Sequence, residues 1–110
     1  MRGRATWALS MDEEYVEAVL RAVESIPAGL VCSYGDIAEQ VGRGGPRQVG
    51  QVMSRYGGSV PWWRVVRADG RLVRGHEEAA LVRLRAEEVP LSGDRVDMRS
   101  ARKRPQPEKS

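Results

Sequence analysis

One cysteine and one histidine stand among the 110 residues, and that scarcity closes several routes at once. A disulfide within the chain would need two thiols, and a structural zinc site would need four nitrogen or sulfur ligands. The reading therefore includes no metal and no cofactor. Long apolar runs are missing as well, since no stretch approaches the roughly 20 residues that cross a bilayer. Met1–Ser10 carries two arginines but lacks the apolar segment of a signal peptide. The expectation is a soluble, intracellular protein without a membrane partner. At this length there is room for one core and not for two, which makes the chain a single domain.

Acids are missing from one sector. Residues 40–68 contain no Asp or Glu but five arginines, Arg43, Arg47, Arg55, Arg64 and Arg67, whereas Met11–Glu24 holds five acids against Arg21. The formal net charge of +3 conceals this segregation, because Arg99–Ser110 alone holds five bases and one acid. The arginine-rich sector can attract phosphate; a plain solvated cationic face is the alternative.

What is present reads as a short string of helices. Ser10 with Glu13 reads as a capping box, and Tyr15, Val16, Val19, Leu20, Val23 and Ile26 recur at helical spacing, giving a first helix that ends before Pro27. Leu30-Val31-Cys32 is a short apolar segment. Ser33 and Asp36 form a second capping box ahead of Ile37, Ala38 and Val41, and Gly42 stops that helix. Pro46 suits the first position of a third helix, with Val49, Val52, Met53 and Tyr56 as its buried stripe. Two helices across a glycine turn make a helix-turn-helix. Trp63–Arg67 and Arg71–Val73 around Asp69-Gly70 read as a β-hairpin wing. His76–Glu88 reads as a last helix with Ala80, Leu81 and Leu84 inward, Val96 and Met98 as one short strand, and Arg99–Ser110 as a disordered basic tail. The fold class expected is mainly α with a small β-hairpin wing, a winged helix-turn-helix DNA-binding domain over residues 11–98, preceded by an extension at 1–10 and followed by the tail at 99–110.

Three ordered motifs carry a family resemblance: Pro27-x-Gly29-x-Val31-x-Ser33-Tyr34-Gly35-x-Ile37-Ala38, then Arg47-x-Val49-Gly50, then Pro61-Trp62-Trp63-Arg64-Val65-Val66 followed by Gly70. Together they resemble the DNA-binding domain of the O6-alkylguanine-DNA alkyltransferases, over roughly residues 11–98. In the active family the third motif is Pro-Cys-His-Arg-Val, whose thiolate takes the alkyl group from guanine. Here Trp62 stands at the cysteine and Trp63 at the histidine, and an indole is no displacement nucleophile. Tryptophan at the first of these positions resembles the alkyltransferase-like proteins, most of which keep the histidine; the second tryptophan departs from their pattern. Cys32 is not a substitute, because its apolar segment suits a buried, unactivated thiol.

The resemblance implies a sensor rather than an enzyme: a monomer that binds double-stranded DNA containing an alkylated guanine, flips the nucleotide, and brings in nucleotide excision repair proteins. It implies base flipping by Tyr34, pressing on a phosphate, and Arg47, filling the vacated stack, on a surface shared with Ser33, Gly50 and Gln51. It implies a lesion pocket drawn from Trp62, Trp63, Arg64, Val65 and Arg74. Both segments bordering that pocket, between Met53 and Pro61 and from Val73 to Ala79, are shorter than in the enzyme. Ordinary roles compete at each position: Tyr34 or either tryptophan as packing, Arg47 as a phosphate contact, Glu87 as the partner of Arg64 or a solvated acid, His76 as a surface residue. For the whole chain, the competing reading is a winged-helix transcription regulator of undamaged DNA. In either case the chain is expected to be cytoplasmic, associated with the nucleoid in a bacterium.

Overall fold

The structure, a computed structural model, describes residues 12–103. Helix α1 spans Glu13–Glu24, and its N-terminus is capped by Asp12, whose side chain accepts the Tyr15 N–H at 2.7 Å. The cap is thus Asp12; Ser10 lies outside the described residues. Helix α2, Tyr34–Val41, opens on the expected capping box, in which Ser33 Oγ accepts the Asp36 N–H and Asp36 Oδ2 accepts the Ser33 N–H, both at 3.0 Å. Helix α3, Pro46–Tyr56, starts with Pro46 in its first turn, and Gln48 Oε1 accepts the Gly45 N–H at 2.9 Å. These bonds, reciprocal at α2, satisfy amides that a helix start leaves unpaired. Val49 and Val52 are buried and Met53 is half-buried, but Tyr56 is 39% exposed, because the last turn of α3 reaches beyond the core.

Strand β1, Cys32–Ser33, pairs in parallel with β2, Val65–Val66, in the register Cys32–Val65 and Ser33–Val66. Parallel neighbours need a long crossover, and here α2 and α3 supply it. The expected hairpin wing is therefore corrected. The Asp69-Gly70 turn forms, with the Gly70 N–H on the Arg67 carbonyl at 2.8 Å, but Arg71–Val73 does not run back along β2 as a strand. Gly70 is drawn instead to the Val96 N–H, which its carbonyl accepts at 2.9 Å. Gly70 holds φ +90°, and a Cβ there would collide with the Val96 carbonyl, so this crossing requires glycine. The antiparallel pair is β3, Leu91–Ser92, with β4, Arg95–Val96.

Helix α4 spans Glu77–Ala86, with Ala80 and Leu84 buried and Leu81 partly so. Val96 is strand, but Met98 opens a short helix, α5, Met98–Ala101. Residues 99–103, expected in the tail, are instead part of the fold: Ala101 is fully buried, the Val31 N–H bonds the Ala101 carbonyl at 2.9 Å, and the Lys103 N–H bonds the Val31 carbonyl at 2.7 Å. Arg102 closes a fork on Asp36 at 2.9 and 2.6 Å. Residues 104–110 lie outside the described part.

Two apolar clusters result. One joins α1, α2 and α3 through Val19, Val23, Ile37, Val49 and Val52; the other joins α4 to the C-terminal segment through Val66, Leu84, Val96 and Ala101. The β1–β2 pair lies between them, with Cys32 and Val65 in the first cluster and Val31 and Val66 in the second. The result is mainly helical, with two small strand pairs. Among the described residues no helix is long and apolar enough to cross a membrane, and no group of three His, Cys, Asp or Glu could hold a metal.

Candidate functional site

Everything of interest gathers where the crossover begins and ends. Ser33 closes β1 and caps α2, which sets Tyr34 at the first helical position, half-buried. Trp62 comes from the other end of the crossover. Pro61, at φ −72° and ψ 72°, centres a three-residue turn in which the Trp62 N–H reaches the Val60 carbonyl at 2.6 Å, the inverse γ geometry. The chain reverses there and enters a single 3₁₀ turn, Trp62–Arg64, before β2.

Between Tyr34 and Trp62 lies a cavity of about 400 Å³. Its remaining wall comes from α3 and its end (Gly50, Met53, Ser54, Gly57 and Gly58) and from Val73, Arg74 and His76. Gly50 matters through what it lacks: a Cβ there would meet nothing within 4 Å, so the absent side chain leaves open space in the helix face. Trp62 meets the His76 ring at 6.0 Å and the Trp63 ring edge-on at 5.7 Å. A second, more open cavity of about 580 Å³ adjoins the first and shares Tyr34, Gly50, Val73 and Arg74 with it. Ser33, Arg47 and Arg67 border this second space.

Of the residues expected in the lesion pocket, Trp62 and Arg74 line the first cavity, while Trp63, Arg64 and Val65 do not. Val65 is sealed in the core at 1% exposure. Trp63 and Arg64 turn the other way, onto Glu87. The Trp63 indole N–H donates to Glu87 Oε2 at 2.9 Å, and Arg64 makes a two-pronged contact through Nε at 3.0 Å and Nη2 at 2.6 Å. Arg64 Nη1 also donates to the Ile26 carbonyl at 2.8 Å, and Arg83 stacks over Trp63 at 4.4 Å. The Arg64 hydrogen bonds, helped by Trp63, hold the Glu87 carboxyl below its ordinary range against the opposing effect of burial. Glu87 is thus the partner of Arg64, as one of the two sequence readings had it. Gln51 is exposed on α3 and borders neither cavity.

Gly57-Gly58 and His76 come from the two segments expected to border the pocket, although His76 by itself reads as a surface residue and Met53 as part of the buried stripe of α3. His76 sits just before α4 without capping it, which leaves its ring to the cavity. Cys32 borders neither cavity. It is 2% exposed, its Sγ donates to the Lys103 carbonyl at 3.5 Å, and burial pushes its thiol up to about 11. Such a thiol is almost wholly protonated near neutrality and a poor nucleophile.

With this geometry in view, the comparisons fall together. The family described as 6-O-methylguanine DNA methyltransferase, DNA binding domain, matches residues 14–89, and the chain belongs to that family. It is 36% identical over 67 residues to the DNA base-flipping protein of Escherichia coli (strain K12), a match covering 58% of this chain and 52% of that protein. The chain thus spans about half the length of that relative. It is 43% identical over 67 residues to Alkyltransferase-like protein 1 of Schizosaccharomyces pombe (strain 972 / ATCC 24843), covering 58% of this chain and 61% of that one. A crystal structure of S. pombe Atl1 in complex with damaged DNA containing O6-carboxymethylguanine superimposes with a TM-score of 0.75 at 30% identity, over 84% of this chain and 97% of that one.

Proposed function

We propose that this chain is a non-enzymatic sensor of O6-alkylguanine in duplex DNA, which everts the modified nucleotide and marks it for nucleotide excision repair. The observation that carries the reading is the cavity between Tyr34 and Trp62, walled by an indole at the position where the family's enzymes present a cysteine. Its size suits a purine, its lining combines Tyr34, Trp62, Met53 and Val73 with Arg74 and His76, and it adjoins the groove that Arg47 borders. A base altered at its pairing edge is poorly paired and costs less to extrude, which supplies selectivity before any contact is made. Tyr34 presses on the backbone, the exposed Arg47 at the start of α3 enters the stack, and Trp62 offers the base a flat apolar face. No thiol in reach accepts the alkyl group, so the complex stays reversible, and the bound protein serves as the signal that excision factors read.

The test is affinity for one duplex with and without a single O6-methylguanine, at fixed salt. A preference of at least about tenfold, which is roughly 1.4 kcal/mol, is expected, and Trp62→Ala should erode it more than it erodes binding to unmodified DNA. Equal affinity for the two duplexes would end the sensor reading and leave the transcription-regulator alternative. Incubation with alkyl-labelled DNA should leave the protein unlabelled; label on Cys32 would overturn the non-enzymatic part. Lesion-dependent stimulation of an excision nuclease, present with wild type and absent with Trp62→Ala, checks the recruitment step.

A further inference from the structure

The two adjoining cavities share Tyr34, Gly50, Val73 and Arg74 and differ in what each adds. The first adds Trp62, His76 and Met53 to its walls. The second is bordered by three arginines, Arg47, Arg67 and Arg74, and by no carboxylate among the described residues. All three arginines are exposed, and among the described residues none is engaged in an ion pair. The field of Asp69 reaches Arg67, but its carboxylate is already shared between Arg71 at 3.4 Å and Arg95 at 3.9 Å. Three exposed guanidinium groups give this concavity a positive field that favours an anion.

The parallel strand pair explains how Arg67 comes to be there. Ser33 and Val66 are partners in register, so the next residues along, Tyr34 and Arg67, leave the pair side by side. Adjacent strands lie roughly 4.8 Å apart, and the proximity registers on the phenol: burial raises the Tyr34 hydroxyl above its ordinary range while the Arg67 charge opposes that rise. A tyrosine hydroxyl and a guanidinium thus converge on the groove from neighbouring strand ends.

We infer that Arg67 joins Tyr34 as a second, cationic anchor on the phosphodiester in the second cavity, holding the DNA backbone next to the nucleotide whose base occupies the first. This deepens the sensor reading and rests on it for the identity of the base. A nucleotide is itself bipartite, a flat base joined through a sugar to an anion, and the paired cavities repeat that division with Tyr34, Gly50, Val73 and Arg74 common to both. Arg67 therefore acts as an anchor rather than as a reader of sequence.

The test combines Arg67→Gln with DNA neutralised one phosphate at a time by methylphosphonate, on the lesion duplex and on its unmodified twin. Arg67→Gln removes an exposed side chain whose hydrogen bonds here are made by the backbone alone, so its melting temperature should match wild type. On the fully charged lesion duplex it should bind about tenfold more weakly, the size of one charge-assisted contact. Its dependence of log affinity on log salt should be shallower by about 0.9. On the duplex lacking the charge beside the lesion, wild type and Arg67→Gln should bind alike. Full-strength binding by Arg67→Gln, a loss that persists at every neutralised position, or coupling only to a phosphate remote from the lesion would each overturn the anchoring role. Wild-type preference for the lesion is read in the same titrations. Its absence would end the base-pocket reading separately, while coupling of Arg67 to a phosphate would still be decided on the unmodified duplex.

Discussion

The second tryptophan, Trp63, has surroundings that give it a defined job. Trp63 spends its indole N–H on Glu87, which also anchors Arg64, and its ring stands edge-on behind Trp62. Glu87 and Arg64 keep only 15% and 16% side-chain exposure, so the pair is poorly solvated. Glu87→Gln should cost about 2–3 kcal/mol, because it leaves a guanidinium short of its counter-charge. Trp63→Phe should cost about 1 kcal/mol, one hydrogen bond to an acceptor that retains others. The pH dependence separates them. A carboxyl held below its unfolded value stabilises the fold above that value, near pH 4, and the contribution fades as the pH falls through the lower folded value. Denaturant melts from pH 7 to pH 3 should therefore show the gap between wild type and Glu87→Gln closing on the acid side. A gap that stays constant would mean that the carboxylate charge carries none of the stability.

At the scale of elements, the turn between α2 and α3 makes the sharpest forecast. Tyr15 is buried at 6% exposure with its hydroxyl unpartnered among the described residues, and the ring lies beneath Gly44 while Arg43 covers it at 5.2 Å. Gly44 has φ +73°, and a Cβ there would strike the Tyr15 hydroxyl. Gly44→Ala should thus destabilise by about 3 kcal/mol through backbone strain and overpacking. Tyr15→Phe should gain about 1 kcal/mol by removing an unsatisfied group. In the double variant part of the Gly44→Ala penalty should disappear, and simple additivity in a thermal-melt cycle would refute the contact. The same turn shows what a sequence can and cannot disclose. Ser33, Asp36 and Gly42 bracket α2 through bonds that span three or four residues, Pro46 opens α3 through its fixed φ, and those rules are local. The partner of Val65-Val66 is not a local matter. Both valines are buried, so they lack the alternation of a half-exposed hairpin strand and suit a strand covered on both faces. The Asp-Gly turn drew attention to Arg71–Val73, whereas Ser33, 33 residues back, was the neighbour. Tyr34, Arg47 and Trp62 are legible as surface or pocket candidates through the family motifs, and Arg74 through its place on the segment expected to border the pocket. His76 and Arg67 belong to no motif; the first reaches the cavity by lying ahead of α4, the second through the strand register.

At the scale of the whole molecule, the C-terminal segment, residues 98–103, belongs to the fold. Asp36 joins the capping box of α2 to Arg102; burial opposes its charge, but hydrogen bonds from Arg102 and Ser33 prevail and keep the carboxyl below its ordinary range. The helix that presents Tyr34 is thereby tied to the far end of the chain. A protein ending at Met98 would lose Arg102, the buried Ala101 and two backbone bonds to Val31. Each charge-assisted or backbone bond is worth about 1–2 kcal/mol, so that truncation should lower the melting temperature by more than about 10 °C for a domain of this size. It would weaken DNA binding for reasons unrelated to charge. A protein ending at Lys103 keeps all of these contacts and removes only Arg104, Lys109 and Glu108 among charged residues, one net positive charge. Its melting temperature should equal that of the full chain, and its affinity for DNA at low salt should fall by no more than about threefold, less than one full phosphate contact. A large loss of affinity in that shorter protein, with the melt unchanged, would instead place a substantial part of the DNA contact beyond Lys103.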